Sequence, residues 1–363
     1  MATGWPMKTT YADGDVYSAS DVNDITGTVN LLQTSTLSVQ AGKNRVINGG
    51  MDVWQRGTTF ANPALGYTAD RWQGSTATAG TITRVATGDT TNLPNIQYAL
   101  RYQRTNGSTS TSQLNIIQNF ESVNSIPLAG KTVTLSFYAR KGANYSPTSS
   151  LLGVILATGT GTDQNYYTAG YTGQADTISS SATLTTTWQR FTYTATLPSN
   201  MTEMAVYFYC APTGTAGAAD YYEITGVQVE LGSYATSFSR SAPNYGGELA
   251  ACQRYYWRNT PNGGNAYLSS MGTGATTSIA DMIIAVPVPM RVIPTVLETS
   301  TIRLLDGSNA FSTGTWTLNS SDSSYTYPII RYTHGSAALT QFRPYFIAAN
   351  SNTSAYIALG AEL

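Results

Sequence analysis

The sequence is poor in charged residues, histidine and cysteine. Only 11% of its 363 residues are charged, against roughly 25% in typical soluble proteins, and the net charge is -1. Without a cationic excess to neutralise phosphates, a basic nucleic-acid-binding protein is excluded. No apolar run reaches the length of a membrane-spanning helix, so we expect no membrane insertion. The two cysteines, Cys210 and Cys252, form no disulfide scaffold, and their apolar neighbours predict buried free thiols.

Threonine, serine, glycine and tyrosine are abundant instead. Threonine and serine make up about a quarter of the chain, and there are 33 glycines and 25 tyrosines. Threonine and tyrosine favour strands, whereas threonine, serine and glycine are poor helix formers. With 41% apolar residues, the chain can form sizeable cores. The composition therefore predicts a mostly β protein of two or three domains.

One heptad pattern lies near the start of the sequence. Apolar residues follow a 3-4-3-4-3 spacing that is typical of the a and d positions of a coiled coil. β-branched residues at a, with isoleucine at the first d, favour a trimer, so we expect a homotrimeric stem over residues 21–43. The alternative is a single amphipathic helix packed on its own domain. The predicted trimerisation residues are Val22, Ile25, Val29, Leu32, Thr36 and Val39.

The middle of the chain shows short strands with apolar and polar residues in alternation. Residues 133–139, 191–197, 204–210 and 227–231 place apolar side chains at every second position, with threonine at many of the others. This period of two predicts antiparallel sheets with one face on a core. Many short strands without intervening helices predict a two-sheet sandwich or jelly roll. Two tryptophans, Trp54 and Trp72, are predicted to lie in its core.

Several sequence segments, taken in their order along the chain, resemble segments of the tail-fibre proteins of tailed bacteriophages. The segment 44–57 (NRVINGGMDVWQRG), with YTADRW at 67–72, resembles the opening of a domain common in such fibres. The phrases LAGKTVTLSFYARKG, TWQRFTYTATLPS and YYEITGVQVELG resemble jelly rolls of the carbohydrate-binding-module type. SFSRSAPNYGGELAACQRYYWR resembles the junction that follows, and PVPMRVIPTV with the final AEL resembles a closing domain.

This resemblance implies a structural virion protein that binds a host cell-surface glycan. Residues 1–20 resemble the virion-attachment end, which implies that Trp5, Tyr11, Asp13 and Asp15 contact another virion protein of the tail or capsid. The implied location is the virion, with assembly in the host cytoplasm. The alternatives are an architectural capsid or head fibre without a specific ligand, and a glycan depolymerase.

The glycan-binding candidates lie in the loop 159–176. This stretch lacks apolar alternation and carries three tyrosines between glycines and threonines. Aromatic rings cover the C–H faces of sugars, and amide or carboxylate groups hydrogen-bond their hydroxyls. The alternative is a tyrosine-rich loop that packs on a neighbouring subunit. The candidate residues are Tyr166, Tyr167, Tyr171, Asp163, Gln164 and Asn165.

The sequence divides into a stem and two β domains. We predict a jelly roll over residues 44–240, a linking helix within 241–258, and a smaller β-sandwich over 259–363. No nucleophile elbow, phosphate-binding loop or zinc signature is present, so we expect no enzyme activity, no cofactor and no metal site. The lone His334 cannot build a zinc site with two distant cysteines. A carboxylate pair of a glycosidase leaves no sequence signature, which keeps the depolymerase alternative open.

Overall fold

A computed structural model describes residues 42–63, 65–75 and 80–363. The predicted attachment residues Trp5, Tyr11, Asp13 and Asp15 lie outside the described residues. So do the predicted trimerisation residues, listed above, between Val22 and Val39. The stem and its oligomeric state therefore remain sequence-based predictions.

Two six-stranded antiparallel sheets form the first part of the described chain. The strand order is β1-β4-β5-β12-β7-β10 in sheet 1 and β2-β3-β6-β11-β8-β9 in sheet 2. From β5 to β12 the chain crosses repeatedly between the sheets, as in a jelly roll. The strands are β1 (Thr59–Ala61), β2 (Gly66–Tyr67), β3 (Gln73–Ser75), β4 (Gly80–Ala86), β5 (Tyr98–Arg104), β6 (Leu114–Asn119), β7 (Thr132–Lys141), β8 (Leu151–Gly159), β9 (Ala175–Thr183), β10 (Gln189–Thr196), β11 (Glu203–Cys210) and β12 (Tyr221–Leu231).

The alternation read from the sequence sets the core between these sheets. In β7 the inward positions are Val133, Leu135, Phe137 and Ala139, and each is fully buried. Phe137 meets Phe208 of the opposite sheet edge-on, with ring centroids 4.7 Å apart. Burying side chains of this size gains roughly 1.5–3 kcal/mol each, and the two rings are part of a larger buried core between the sheets.

The segment that carries the family resemblance forms a buried turn. Asn48 is fully buried, with φ of 57°, and its amide oxygen accepts hydrogen bonds from the backbone N–H groups of Asp52 and Val53. Its amide nitrogen donates to the carbonyls of Val53 and Asp70. The predicted core tryptophans, Trp54 and Trp72, are confirmed as members of the sandwich core. This turn therefore serves packing rather than binding.

Short helices lie between and after the strands of the sandwich. The α-helices are α1 (Ser122–Ser125), α2 (Tyr166–Ala169) and α3 (Tyr245–Gln253), and the 3-10 helices span Ile126–Leu128 and Thr148–Ser150. Helix α3 is the predicted linking helix, capped by the side chain of Asn244, which accepts from Gly247 N–H at 2.9 Å. Within the described residues, no helix has the length and apolarity needed to cross a membrane.

A second, smaller pair of sheets follows α3. A three-stranded sheet has the order β13-β22-β16, and a seven-stranded sheet has the order β18-β17-β21-β14-β15-β20-β19. They enclose a separate core that includes Tyr332, Tyr345 and Leu359. The strands are β13 (Tyr256–Asn259), β14 (Gly272–Gly274), β15 (Ile279–Ile283), β16 (Val296–Ser300), β17 (Ile302–Leu305), β18 (Ala310–Phe311), β19 (Gly314–Leu318), β20 (Ile329–His334), β21 (Pro344–Ala349) and β22 (Tyr356–Gly360).

The mostly β, antiparallel fold predicted from the sequence is confirmed. Cys210 and Cys252 are free and buried, as predicted. One detail differs near the linking helix: Tyr256 and Trp257 begin strand β13 instead of extending the helix. Both rings are buried, and Tyr256 also packs under the guanidinium of Arg56 from the first sandwich, 3.5 Å from its ring centroid. The aromatic run therefore joins the two sandwiches.

Candidate functional site

The outer face of sheet 2 carries an aromatic row on its central strand β11. Because the core-facing positions of β11 are Met204, Val206 and Phe208, the alternate residues Tyr207 and Tyr209 point away from the core. Their rings stack at a centroid distance of 5.4 Å and an interplanar angle of 24°. Tyr207 belongs to a small buried apolar cluster with Ile117, Ile155 and Tyr171 on this side of the sheet, and Tyr209 lies at its edge, partly exposed to solvent.

Tyr209 lies flat against the neighbouring strand. It is paired with Gly153 of β8, and a Cβ atom on that glycine would stand 2.2 Å from the ring. The absent side chain lets the ring rest on the sheet backbone. Tyr209 is only partly buried, and its hydroxyl makes no hydrogen bond to the described residues. One side of this ring is thus supported by the protein, while the side chain remains accessible to solvent.

Tyr207 is held more firmly than Tyr209. Its hydroxyl donates to Oδ1 of Asn115 at 2.8 Å, and the side chain is 8% exposed. The amide nitrogen of Asn115 donates in turn to the hydroxyl oxygen of Tyr167 at 3.0 Å. Ser75 donates to the same oxygen at 3.0 Å. These hydrogen bonds fix the rings of Tyr207 and Tyr167 relative to each other.

A pocket of about 330 Å³ adjoins Tyr209. Its walls include Gly153 and Tyr209 on the sheet and Ser181 on β9. The residues that complete it lie at the start of β8 or in the segments beside β8 and β11, and these are Pro147, Thr148, Leu151, Ala211, Pro212 and Thr213. The pocket combines one aromatic ring, apolar edges and hydroxyl groups, which suits a small ligand with both C–H and O–H surfaces. We name Tyr166, Tyr167, Tyr207, Tyr209, Asn115, Gly153 and Ser181 the tyrosine face.

The three loop tyrosines predicted from the sequence occupy different environments. Tyr166 and Tyr167 belong to α2, are partly exposed and pack against Tyr207, at centroid distances of 5.8 Å and 6.4 Å. Tyr171 is 6% exposed, and its hydroxyl donates to Oδ1 of Asn119 and to the carbonyl of Met204. The expectation that Tyr171 covers a sugar is therefore corrected, because its ring lies beneath the loop and presents no free face.

The three polar candidates of the loop are engaged inside the protein. Asp163 accepts from the backbone N–H of Ser122 and pairs with Arg291 of the second sandwich, at 2.8 and 3.2 Å. Asn165 caps α2 by accepting from the N–H groups of Tyr167 and Thr168.

Gln164 is likewise held within the loop. Its backbone N–H donates to the buried carboxylate of Glu203, and its side chain bridges to Thr172. Asp163, Gln164 and Asn165 thus hold the loop while remaining partly exposed, and their contact with a sugar stays a prediction.

The tyrosine face has little formal charge. Burial, with a smaller contribution from Asp176, raises the pKa of Tyr166 to about 12, so its phenol is neutral at physiological pH. The Tyr166 hydroxyl donates to Asp176 at 3.3 Å, and this is the one carboxylate that the face contacts among the described residues. Burial also raises the pKa of Tyr207. The face therefore offers neutral hydroxyl groups beside aromatic rings.

The described part of the chain contains no candidate metal-binding cluster. No cluster of three or more histidine, cysteine, aspartate or glutamate side chains there could hold an ion. Burial raises the pKa of Cys210 to about 12, which keeps this thiol protonated and unreactive.

Sequence reasoning missed Tyr207 and Tyr209. The signal was present, because the strand EMAVYFYC shows its core-facing set at Met204, Val206, Phe208 and Cys210. The opposite set then carries two tyrosines, Tyr207 and Tyr209, which local alternation places on the outward side of the strand. Only the pairing of β11 with β8 shows that a glycine lies beneath one of them.

Comparisons with known proteins give distant likenesses. No family model and no curated protein matches the chain. A solved enzymatically active domain of tailspike protein 4 from bacteriophage CBA120 aligns at 15% identity and a TM-score of 0.34, over 52% of this chain and 21% of that one. A family 4 carbohydrate-binding module aligns at 18% identity and 0.31, over 52% of this chain and 100% of that one.

A family 61 module solved with β-1,4-galactotriose aligns at 13% identity and a TM-score of 0.32, over 52% of this chain and 99% of that one. In each of the three alignments about half of this chain is covered. No family assignment follows from likeness at this level.

Proposed function

We propose that this protein binds glycans through the tyrosine face. The observation that carries the proposal is the ring of Tyr209, supported from below by Gly153 and accessible to solvent. A pyranose ring presents a flat patch of C–H groups that stacks on such a surface, while its hydroxyls need neutral hydrogen-bonding partners nearby. Ser181, which is exposed, stands on the same face.

The favoured ligand class is a neutral glycan. An acidic sugar needs a cation, and none of the residues that form the tyrosine face or line its pocket is a lysine or arginine. The pocket of about 330 Å³ beside Tyr209 accommodates a terminal or branching sugar unit. Binding of an individual sugar is expected to be weak, because the face is open and shallow.

Glycan arrays probed with multivalently presented protein test this proposal, followed by calorimetry with the best oligosaccharide. The expected result is binding to neutral glycans that is lost in Tyr209→Ala. Retained affinity in that variant would exclude the tyrosine face as the site. Preferential binding to acidic glycans would contradict the proposed ligand class.

In its biological context, we propose a homotrimeric bacteriophage fibre with this face directed at the host surface. The heptad pattern of residues 21–43 and the sequence segments that resemble phage tail fibres support this role. Residues 1–20 would attach the fibre to another virion protein, and the assembled protein would reside on the virion after assembly in the host cytoplasm. Trimer and particle valency can raise avidity by roughly 10² to 10⁴ over a single contact.

Immunogold labelling of virions separates a tail fibre from an architectural capsid fibre, the second candidate.

We propose no enzyme activity, since the described residues of the tyrosine face include no pair of carboxylates across a cleft. Release of reducing sugar ends from host polysaccharide would contradict this and favour a depolymerase.

A further inference from the structure

We infer that Arg291, in the second sandwich, is a positioning residue for the tyrosine face of the first. This inference rests on the proposed glycan binding. By this inference the second sandwich helps to position the glycan-binding residues, although none of its own residues belongs to the tyrosine face. Three consecutive sets of contacts carry it.

Arg291 holds two separate segments at once. Its guanidinium donates to the carbonyls of Ala361 and Glu362, at 2.9 and 2.8 Å. The remaining guanidinium nitrogen pairs with the carboxylate of Asp163, in the loop 159–176, at 3.2 Å. The Arg291 side chain is 12% exposed and that of Asp163 is 34% exposed, so the ion pair is partly screened by solvent, whereas the two bonds to backbone carbonyls do not depend on it. Only a planar guanidinium presents donors in this fork, and a lysine would supply one point charge.

The segment 361–363 in turn lies against the first sandwich. The Glu362 carboxylate pairs with Arg71, which is 1% exposed, and with Arg56 at 3.1 Å. The carbonyl of Leu363 accepts from Tyr67 at 3.0 Å and from the side-chain amide of Asn165 at 3.1 Å. Asn165 is therefore held from the second sandwich through this segment, while Asp163 is held directly by Arg291.

The loop residues then act on the tyrosine face. Asn165 caps α2, the helix that places Tyr166 and Tyr167 against Tyr207. The hydroxyl of Tyr167 is linked through Asn115 to the hydroxyl of Tyr207. Loss of the Arg291 fork would therefore loosen the loop and leave the aromatic row less preorganised, which weakens binding.

Hydrogen–deuterium exchange of the full chain and glycan affinity, measured well below the melting temperature, test the inference together. Arg291→Gln should raise exchange across residues 163–168 and weaken glycan binding about 3- to 30-fold, the range of typical coupling energies. Arg291→Lys should restore part of the affinity. The matched control is Arg331→Gln, which breaks the Asp281 pair within the second sandwich and should change neither readout.

A double-mutant cycle with Tyr167→Phe tests the path itself. The two substitutions should be non-additive in affinity, because both interrupt one chain of contacts. Additive effects, or normal exchange in Arg291→Gln, would overturn the inference while leaving glycan binding by the tyrosine face intact. If no glycan binds the wild-type protein, exchange across residues 163–168 alone decides whether Arg291 positions the loop.

Discussion

The ring of Tyr209 rests on Gly153 across the β11–β8 ladder, where any side chain at position 153 would collide with it. A hypothetical Cβ stands 2.2 Å from the ring, closer than real Cβ contacts occur. The aromatic surface therefore depends on two residues about 55 positions apart in the sequence. The pair also provides the most direct tests of the proposed site.

Gly153→Ala should weaken glycan binding about tenfold or more, because the new methyl group lifts the Tyr209 ring from the sheet. Glycine within a strand normally lowers stability relative to alanine. A loss of binding in a folded Gly153→Ala variant would therefore not come from the backbone preference of the new residue. Calorimetry with a neutral oligosaccharide measures this change. Gly335→Ala is the matched control, since a Cβ there meets nothing within 4 Å. Equal affinity in both variants would contradict the proposed role of the Tyr209 ring packed on Gly153.

Tyr209→Ala should reduce affinity by roughly 1–3 kcal/mol, the worth of one stacking ring with its buried area. The free energy of unfolding should fall as well, because the partly buried ring packs on Tyr207. Tyr267→Ala serves as the control, since Tyr267 is 61% exposed in the second sandwich and lies outside the tyrosine face. Titration calorimetry and thermal unfolding distinguish loss of binding from loss of fold. A similar affinity loss in both variants would point to a site elsewhere.

Asp70 should make stability fall between about pH 4 and pH 6. Burial raises the pKa of its carboxyl to about 6, with Arg56 and hydrogen bonds from Gln55 opposing that rise. In this window the unfolded chain has released the proton while the folded protein retains it, so folding becomes less favourable as pH increases. Relative to Asp70→Asn, wild-type stability should drop by about 2–3 kcal/mol across the window. A pH-independent difference in denaturant unfolding would contradict this assignment.

The stem prediction concerns residues outside the described structure. Mass photometry of the full chain should show a trimer at sub-micromolar concentration. Ile25→Asp combined with Leu32→Asp should give monomers, because both substitutions place charges in the predicted apolar seam. Thr28→Asp, which lies outside the a and d positions, is the control. A wild-type monomer at micromolar concentration would contradict the trimer.

The sequence by itself determined the fold class and the inward faces of the long strands. Alternation in 133–139 and 204–210 identified the core set, because a pleated strand admits only two faces and only one can meet a core. The buried thiols and the linking helix were also predictable from local composition. These are short-range properties, fixed by neighbours a few residues away.

Tertiary structure alone indicated which residues form the proposed site. The loop 159–176 looked like a ligand surface, yet burial assigned Tyr171 to packing, and hydrogen bonds assigned Asp163 and Asn165 to holding the loop. The surface ring is instead Tyr209, since strand pairing places Gly153 beneath it. The contacts of Arg291 join segments about 130 residues apart. Register and docking of this kind depend on long-range pairing, and no local pattern in the sequence encodes them.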